Sequence, residues 1–238
     1  PLKVEPSLAV IALVGDNMKN RPGISGKMFG ALGRNGVNVR AIAQGSSERN
    51  ISAVIYMTDV KKAVNVLHEE FFETVFKQLN LFIIGVGNVG SRLLEQLQRQ
   101  KHYLQEHLRL QVRVVALGDS KKMLFNDKGI DLDNWKEDLE NGEEMNLEEF
   151  IQQASSKNLR NSIFADITAN AGVAACYPKL LSRNISIVAC NKIACSSAYE
   201  YYKEIKGLSR EHNVSLLFET NVGASLPVIG TLNDLLRS

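Results

Sequence analysis

At 238 residues, 45% hydrophobic and 23% charged, with a formal net charge of +2, the chain has the make-up of an ordinary globular protein of one large domain or two modest ones. Its lysines and arginines are scattered, which excludes the clustered basic footprint of a nucleic-acid binder. No stretch approaches the roughly 20 apolar residues that span a bilayer.

The three cysteines, Cys176, Cys190 and Cys195, are few and odd in number, which fits reduced thiols of a cytoplasmic protein and no disulfide framework. The opening residues, Pro1 to Pro6, read as neither signal nor transit peptide. Both ends are expected to be cuts from a longer chain.

Residues 8–14 (LAVIALV) are apolar and rich in β formers, so they read as a buried strand. Gly15, Asp16 and Asn17 supply turn chemistry. Ile24, Met28, Ala31 and Leu32 recur at helical spacing, and Gly33 and Gly36 end that helix. Strands are expected at 37–43 and 51–57, and a second helix at 60–72 with Val60, Val64, Leu67 and Phe71 on one face. The order β-α-β-β-α is that of a ferredoxin-like unit.

A second block opens with a strand at 81–84 that runs into Gly85, Val86, Gly87, Asn88, Val89 and Gly90. A helix follows, with Leu93, Leu94 and Leu97 on its inner face. Further strands are expected at 112–117, 163–167, 185–189 and 214–218, with helices at 174–181 and 197–212. Strands alternating with helices predict a parallel, doubly wound sheet. The stretch 127–149, rich in Asp and Glu, reads as a solvated face.

The G-x-G-x-x-G run stands between a strand and a helix, the context that gives it meaning. Gly85 allows a tight turn, Gly87 lets backbone approach a pyrophosphate, and Gly90 lets the helix pack close to the strand. The helix start then offers N–H groups and partial positive charge to phosphates. A glycine-rich turn of purely structural use is the competing reading.

The next strand ends in Asp119, Ser120 and Lys121. An acid there reads the 2′-hydroxyl of NAD, whereas Ser120 and Lys121 suit the 2′-phosphate of NADP, so the choice stays open. Asp119 lies 29 residues after Gly90, beyond the roughly 20 usually found. The long first helix accounts for the difference.

Asn191 and Lys192 follow a strand at its carboxyl end, where ligands lie in open α/β sheets. Lys192 could hold a carboxylate, orient a cofactor, or give a proton to a carbonyl oxygen. Thr168 and Asn170 line the same crevice. Asn170 suits either a nicotinamide amide or a helix cap. The turn 219–227, with one carboxylate and small residues, has the oxygen chemistry of a hard-cation site.

Taken together, the stretches SLAVIALVGDNM, RPGISGKMFGAL, IAQGSSERNISAVI, IIGVGNVGSRLLEQL, NKIACSS and ETNVGASLPVIGTLNDLLRS resemble the bifunctional aspartokinase–homoserine dehydrogenase family. They cover nearly the whole chain, with one variable region between Lys121 and Ser162.

The resemblance implies an ACT regulatory domain over 1–74 and an NAD(P)-binding Rossmann domain over 75–238, truncated before the substrate and dimerisation domain. It implies NAD(P)H-dependent interconversion of aspartate 4-semialdehyde and homoserine, with Lys192 near substrate and nicotinamide. It further implies an amino-acid effector, threonine, at Gln44 with Asn17 and Met18. A sodium or potassium ion is expected at Glu219, Val222, Ala224 and Leu226. Ser225 departs from the family's glycine, which weakens that cation site if the position needs a positive φ.

A homo-oligomer in the parent protein is also implied, with no nucleic-acid or membrane partner. Without kinase and substrate domains, the chain alone is expected to bind cofactor and turn over poorly. The alternative is an amino-acid-binding regulatory module, which would bind amino acid without dinucleotide.

Overall fold

Along the first strand, β1 (Leu8–Val14), Ile11 and Leu13 are buried while Val10, Ala12 and Val14 face out. That period of two is what a half-covered strand requires. β1 pairs antiparallel with β3 (Asn50–Tyr56), from Leu8 opposite Tyr56 to Val14 opposite Asn50, and β2 (Ala41–Gln44) flanks β3 on its other side. Helices α1 (Ile24–Arg34) and α2 (Val60–Phe71) complete this unit and pack on one another. Its core joins Ile11, Leu13, Met28, Leu32, Ile51, Ile55 and Leu67.

The computed structural model describes residues 4–15, 18, 22–44, 50–72, 76–224 and 226–237. The chain divides into two compact units, Pro1–Phe76 and Lys77–Ser238.

Two expectations in the first unit need correction. The second strand starts at Ala41, four residues later than its apolar run, because α1 ends in a left-handed turn. Gly36 has φ 67°, and the Val37 N–H donates back to the Leu32 carbonyl at 3.0 Å. That closure places Val37 in the core as the hydrophobic partner of the helix end. On α2, Val64 is 52% exposed and Ala63 is fully buried. At about 100° per residue, Ala63 lies between the buried Val66 and Leu67 on the helix face, whereas Val64 lies beyond Leu67 on the side away from Val66.

The second unit is a seven-stranded sheet in the order β10-β9-β8-β4-β5-β6-β7. β4 (Lys77–Ile84) is central, between β5 (Leu110–Gly118) and β8 (Ser162–Asp166); β9 (Ser186–Ala189) and β10 (Leu216–Leu217) extend one side. These five are parallel. β6 (Lys122–Phe125) and β7 (Glu143–Glu144) add an antiparallel edge.

Helix α3 (Asn88–Leu108) and helix α4 (Trp135–Glu140) cover one face, where Leu94, Trp135 and Leu139 join Ile83, Val114 and Leu117. The other face holds α5 (Leu147–Ser156), α6 (Ala171–Ala175), α7 (Tyr177–Leu181), α8 (Ile193–Ser196) and α9 (Tyr199–Glu211), joined by Phe82, Val115, Phe150, Phe164 and Ile205. Cover on both faces explains why the parallel strands read as unbroken apolar runs. Helix α10 (Val228–Arg237) closes the described chain.

The acidic stretch 127–149 is more than a solvated face. It supplies α4 and β7, and buries Ile130, Trp135 and Leu139 between its exposed carboxylates. The helix expected over 174–181 is two short helices meeting at Cys176. Pro178 has no N–H to donate to the Ala174 carbonyl, and the Tyr201 hydroxyl takes its place at 2.5 Å. Among the described residues, no helix is long and apolar enough to cross a membrane.

Candidate functional site

β4 sends its chain through α3 toward β5, whereas β8 sends its chain the opposite way toward β9. The carboxyl ends of adjacent β4 and β8 therefore flank a topological switch point, where open α/β sheets hold ligands. The ends are tied together: the Ile167 N–H donates to the Ile84 carbonyl and the Gly85 N–H to the Gly118 carbonyl, each at 2.8 Å.

Three glycines shape the turn into α3, each for a different reason. Gly85 has φ 99°, and a Cβ there would stand 2.4 Å from the Ile167 carbonyl oxygen. A Cβ on Gly90 would stand 2.0 Å from the Gly85 carbonyl oxygen. Gly87, the N-cap of α3, would meet no protein atom within 4 Å. Close packing demands the outer two, and the middle one leaves open space at the helix start.

Above Gly87, the first turn of α3 (Asn88, Val89 and Gly90) carries no acidic side chain. Its N–H groups have no helical partner, and a 21-residue helix adds its dipole. Asn88 and Val89 are exposed, and Val86 packs partly into the core.

Asp119 follows β5 and shapes the hairpin into β6. Its Oδ1 accepts the Lys121 and Lys122 N–H groups, both at 2.6 Å. That is an Asx turn. Ser120 and Lys121 are exposed beside it.

Asp166, the last residue of β8, is fully buried. Its Oδ1 accepts the Thr168 N–H and hydroxyl, and its Oδ2 accepts the Tyr177 hydroxyl and Asn191 Nδ2. Burial beside this carboxylate pushes the Tyr177 phenol far above its ordinary range. Asn191 also donates to the Asn170 carbonyl at 3.0 Å, and its Oδ1 accepts the Ile193 N–H. Asn170 Oδ1 caps α6, accepting from Gly172 and Val173, so the cap reading holds for that oxygen.

Lys192 follows Asn191 at the carboxyl end of β9, exposed, with no ion pair among the described residues. Sequence reasoning found Thr168, Asn191 and Lys192 and missed Asp166 and Tyr177. The available signal was an acid closing an otherwise apolar strand, SIFAD.

Residues of the expected cation site make hydrogen bonds within the turn and to α10. The Glu219 carboxylate caps α10, accepting Ile229 N–H at 2.7 Å and Gly230 N–H at 2.9 Å. The Leu226 carbonyl accepts the Val228 N–H at 2.8 Å. Val222 and Ala224 are exposed, Ala224 has φ 51°, and Ser225 lies outside the described residues. Among the described residues no cluster of three His, Cys, Asp or Glu could hold a metal.

In the first unit, Gln44 ends β2 opposite Ile51, while Val14 ends β1 opposite Asn50. Both therefore mark the same end of the sheet, two strand spacings or roughly 10 Å apart. Met18, half-buried, packs on that unit's core just beyond β1. Asn17 lies outside the described residues.

A model of the homoserine dehydrogenase NAD-binding domain matches residues 85–219, from the first glycine of the loop to Glu219. The chain belongs to the homoserine dehydrogenase family. An ACT domain model matches residues 11–71 ahead of this homoserine dehydrogenase domain. Over the whole chain, it is 38% identical to a bifunctional aspartokinase/homoserine dehydrogenase of Haemophilus influenzae and covers 29% of that protein. The chloroplastic bifunctional enzyme 1 of Arabidopsis thaliana is 37% identical, with 26% of its length covered. The chain thus spans less than a third of these relatives. A hyperthermophilic archaeal homoserine dehydrogenase in complex with NADPH superposes with TM-score 0.53 at 26% identity, over 66% of this chain and 48% of that one.

A hollow of about 370 Å³ between α3, β5 and residues 128–133 is lined by Leu97, Lys101, Arg113 and Ile130. It lies against the late part of α3 and early part of β5, away from the glycine loop, so it is not the nucleotide crevice.

Burial holds the thiols of Cys176 and Cys195 above the usual thiol range. A raised value means less thiolate at neutral pH. Iodoacetamide should therefore label both more slowly in the folded chain than in the denatured chain, the gap narrowing as the solution turns alkaline. Peptide mass mapping checks this, and equal labelling rates at neutral pH would contradict it.

Proposed function

We propose that the chain is the effector-sensing and dinucleotide-binding part of a bifunctional aspartokinase/homoserine dehydrogenase. Such an enzyme interconverts aspartate 4-semialdehyde and homoserine with NAD(P)H, which supplies the hydride. The open space above Gly87, at the start of α3 and at a switch point, carries this reading.

The first-turn N–H groups of Asn88, Val89 and Gly90 receive the pyrophosphate of the dinucleotide. Asp119 Oδ2 accepts from the ribose of NADH; Ser120 and Lys121 serve the 2′-phosphate of NADPH. Thr168, Asn170 and Asn191 wall the nicotinamide end. Lys192 sets a cationic Nζ where the carbonyl oxygen gains negative charge, and it holds the proton that oxygen takes.

Hydride transfer requires the aldehyde fixed against the nicotinamide. The residues assigned here form the dinucleotide half of the site, so the chain alone binds cofactor without turnover at enzyme rates. Domain limits at 1–74 and 75–238 go with this reading. Gln44 and Met18, at one end of the ACT sheet, support an amino-acid effector such as threonine. The parent protein is a homo-oligomer in this reading, and three free thiols suit a reducing compartment such as the cytoplasm.

Calorimetric titration of the chain with NADPH and then NADH tests the proposal. Micromolar binding of either is expected, and the ratio separates Asp119 from Ser120 and Lys121. No binding to a folded chain that still binds threonine would leave the regulatory module as its function.

A further inference from the structure

A carboxylate that loses all contact with water survives only where donors replace the hydration it gave up. Asp166 is 0% exposed, and no salt bridge of the described residues includes it. Its charge is held by neutral donors from three places in the chain. The Thr168 N–H (2.9 Å) and hydroxyl (2.7 Å) come from the loop after β8. The Tyr177 hydroxyl (2.8 Å) comes from α7, and Asn191 Nδ2 (2.9 Å) from the loop after β9.

We propose that Asp166 is the positioning residue of the nucleotide crevice: one buried carboxylate sets the ends of β8 and β9, and so where Thr168, Asn191 and Lys192 stand. The inference rests on the dinucleotide reading of the crevice above. The apolar core on this face is complete without a charge, and its cluster joins Phe164, Tyr177, Ile187 and Ala189. The charge therefore acts on the loops rather than on the packing.

The chemistry also excludes the isosteric amide. The Thr168 and Asn191 nitrogens are fixed donors, one on each carboxylate oxygen. Asn191 cannot turn over, because its Oδ1 accepts the Ile193 N–H at 3.1 Å and its Nδ2 also serves the Asn170 carbonyl. An asparagine at 166 would aim its own NH2 at one of these donors, opening one side of the pin whichever way it faced. The tie continues outward: the Asn191 carbonyl accepts Asn221 Nδ2 at 3.3 Å, which brings in the turn after β10. One acceptor thus registers loops from three parallel strands, as a preorganised crevice requires.

Asp166→Asn and Tyr177→Phe in the whole chain test this, each read by thermal melting, NADPH calorimetry, and the side-chain amide signals of Asn191 in a 1H–15N spectrum. Asp166→Asn is expected to fold, to shift the Asn191 signals and expose them to hydrogen exchange, and to weaken NADPH binding about tenfold or more. Tyr177→Phe removes one donor only and should weaken binding by about threefold. It decides the matter if Asp166→Asn does not fold.

A lowered melting temperature with wild-type affinity in both variants would make Asp166 a structural residue and overturn the proposal. Unchanged Asn191 signals in a folded Asp166→Asn chain would overturn it equally. If the wild-type chain binds no dinucleotide, the functional reading fails. The amide signals then still decide whether Asp166 pins the loops.

Discussion

Gly87→Ala is expected to leave the fold untouched and to weaken NADPH binding by about tenfold to a hundredfold, whereas Gly90→Ala should damage both. At Gly87, φ is −69°, a value alanine adopts without strain, and the added methyl meets no protein atom within 4 Å. Its only effect is to occupy the space where a pyrophosphate must approach backbone N–H groups. Losing one or two charge-assisted hydrogen bonds costs about 1.5–3 kcal/mol, hence the tenfold to hundredfold.

At Gly90 the methyl would stand 2.0 Å from the Gly85 carbonyl oxygen, which is backbone and cannot swing aside. Overpacking of that kind costs roughly 1–3 kcal/mol or more, a loss of about 5–10 °C in melting temperature for a unit of this size. Calorimetric melting and titration of the two variants side by side check the contrast. If Gly87→Ala binds NADPH like wild type, the loop is a structural turn and the dinucleotide proposal falls.

Phe150→Ala should be the most destabilising single core change in the second unit. The ring is fully buried, with its centroid 4.8 Å from that of Phe125 on β6 and 6.5 Å from that of Phe164 on β8. It also packs under Gly118, where a Cβ would come within 3.3 Å of it. Phe150 thus joins α5 to both the parallel strands and the antiparallel edge.

Truncating such a residue costs about 3–5 kcal/mol, or roughly 10 °C in melting temperature. Because Gly118 leads into Asp119, looser packing should also weaken dinucleotide binding through the hairpin. A melting shift under about 2 °C would mean that α5 is not docked as described.

Much of the fold was legible because its signals are local. Strand period in β1, unbroken apolar runs in the parallel strands, and the glycine run between a strand and a helix each lie within a few adjacent residues. The division of labour among Gly85, Gly87 and Gly90 follows from the same short span, since a tight turn, an open approach and a close helix start are successive steps of one bend.

Other features were misread because a residue's partner lay elsewhere in the chain. A run of acids at 127–149 looked solvated because charge dominates its composition; the buried Ile130, Trp135 and Leu139 matter only once a sheet edge is there to receive them. Glu219 showed no partner in the sequence; α10, opening at Val228, sets the Ile229 and Gly230 N–H groups on its two oxygens.

By itself, the sequence determined the strand–helix order of the first unit, the parallel strands of the second, the glycine turn after β4, and the placement of Lys192 at a strand end. Those depend on periodicity and turn chemistry, which act over neighbours. Only the tertiary structure decided that Asp166 would gather Thr168, Tyr177 and Asn191 onto one buried charge. It alone also decided that Gln44 and the end of β1 would mark one end of a sheet. A buried carboxylate needs donors from wherever the fold brings them, and no local pattern records which residues those will be.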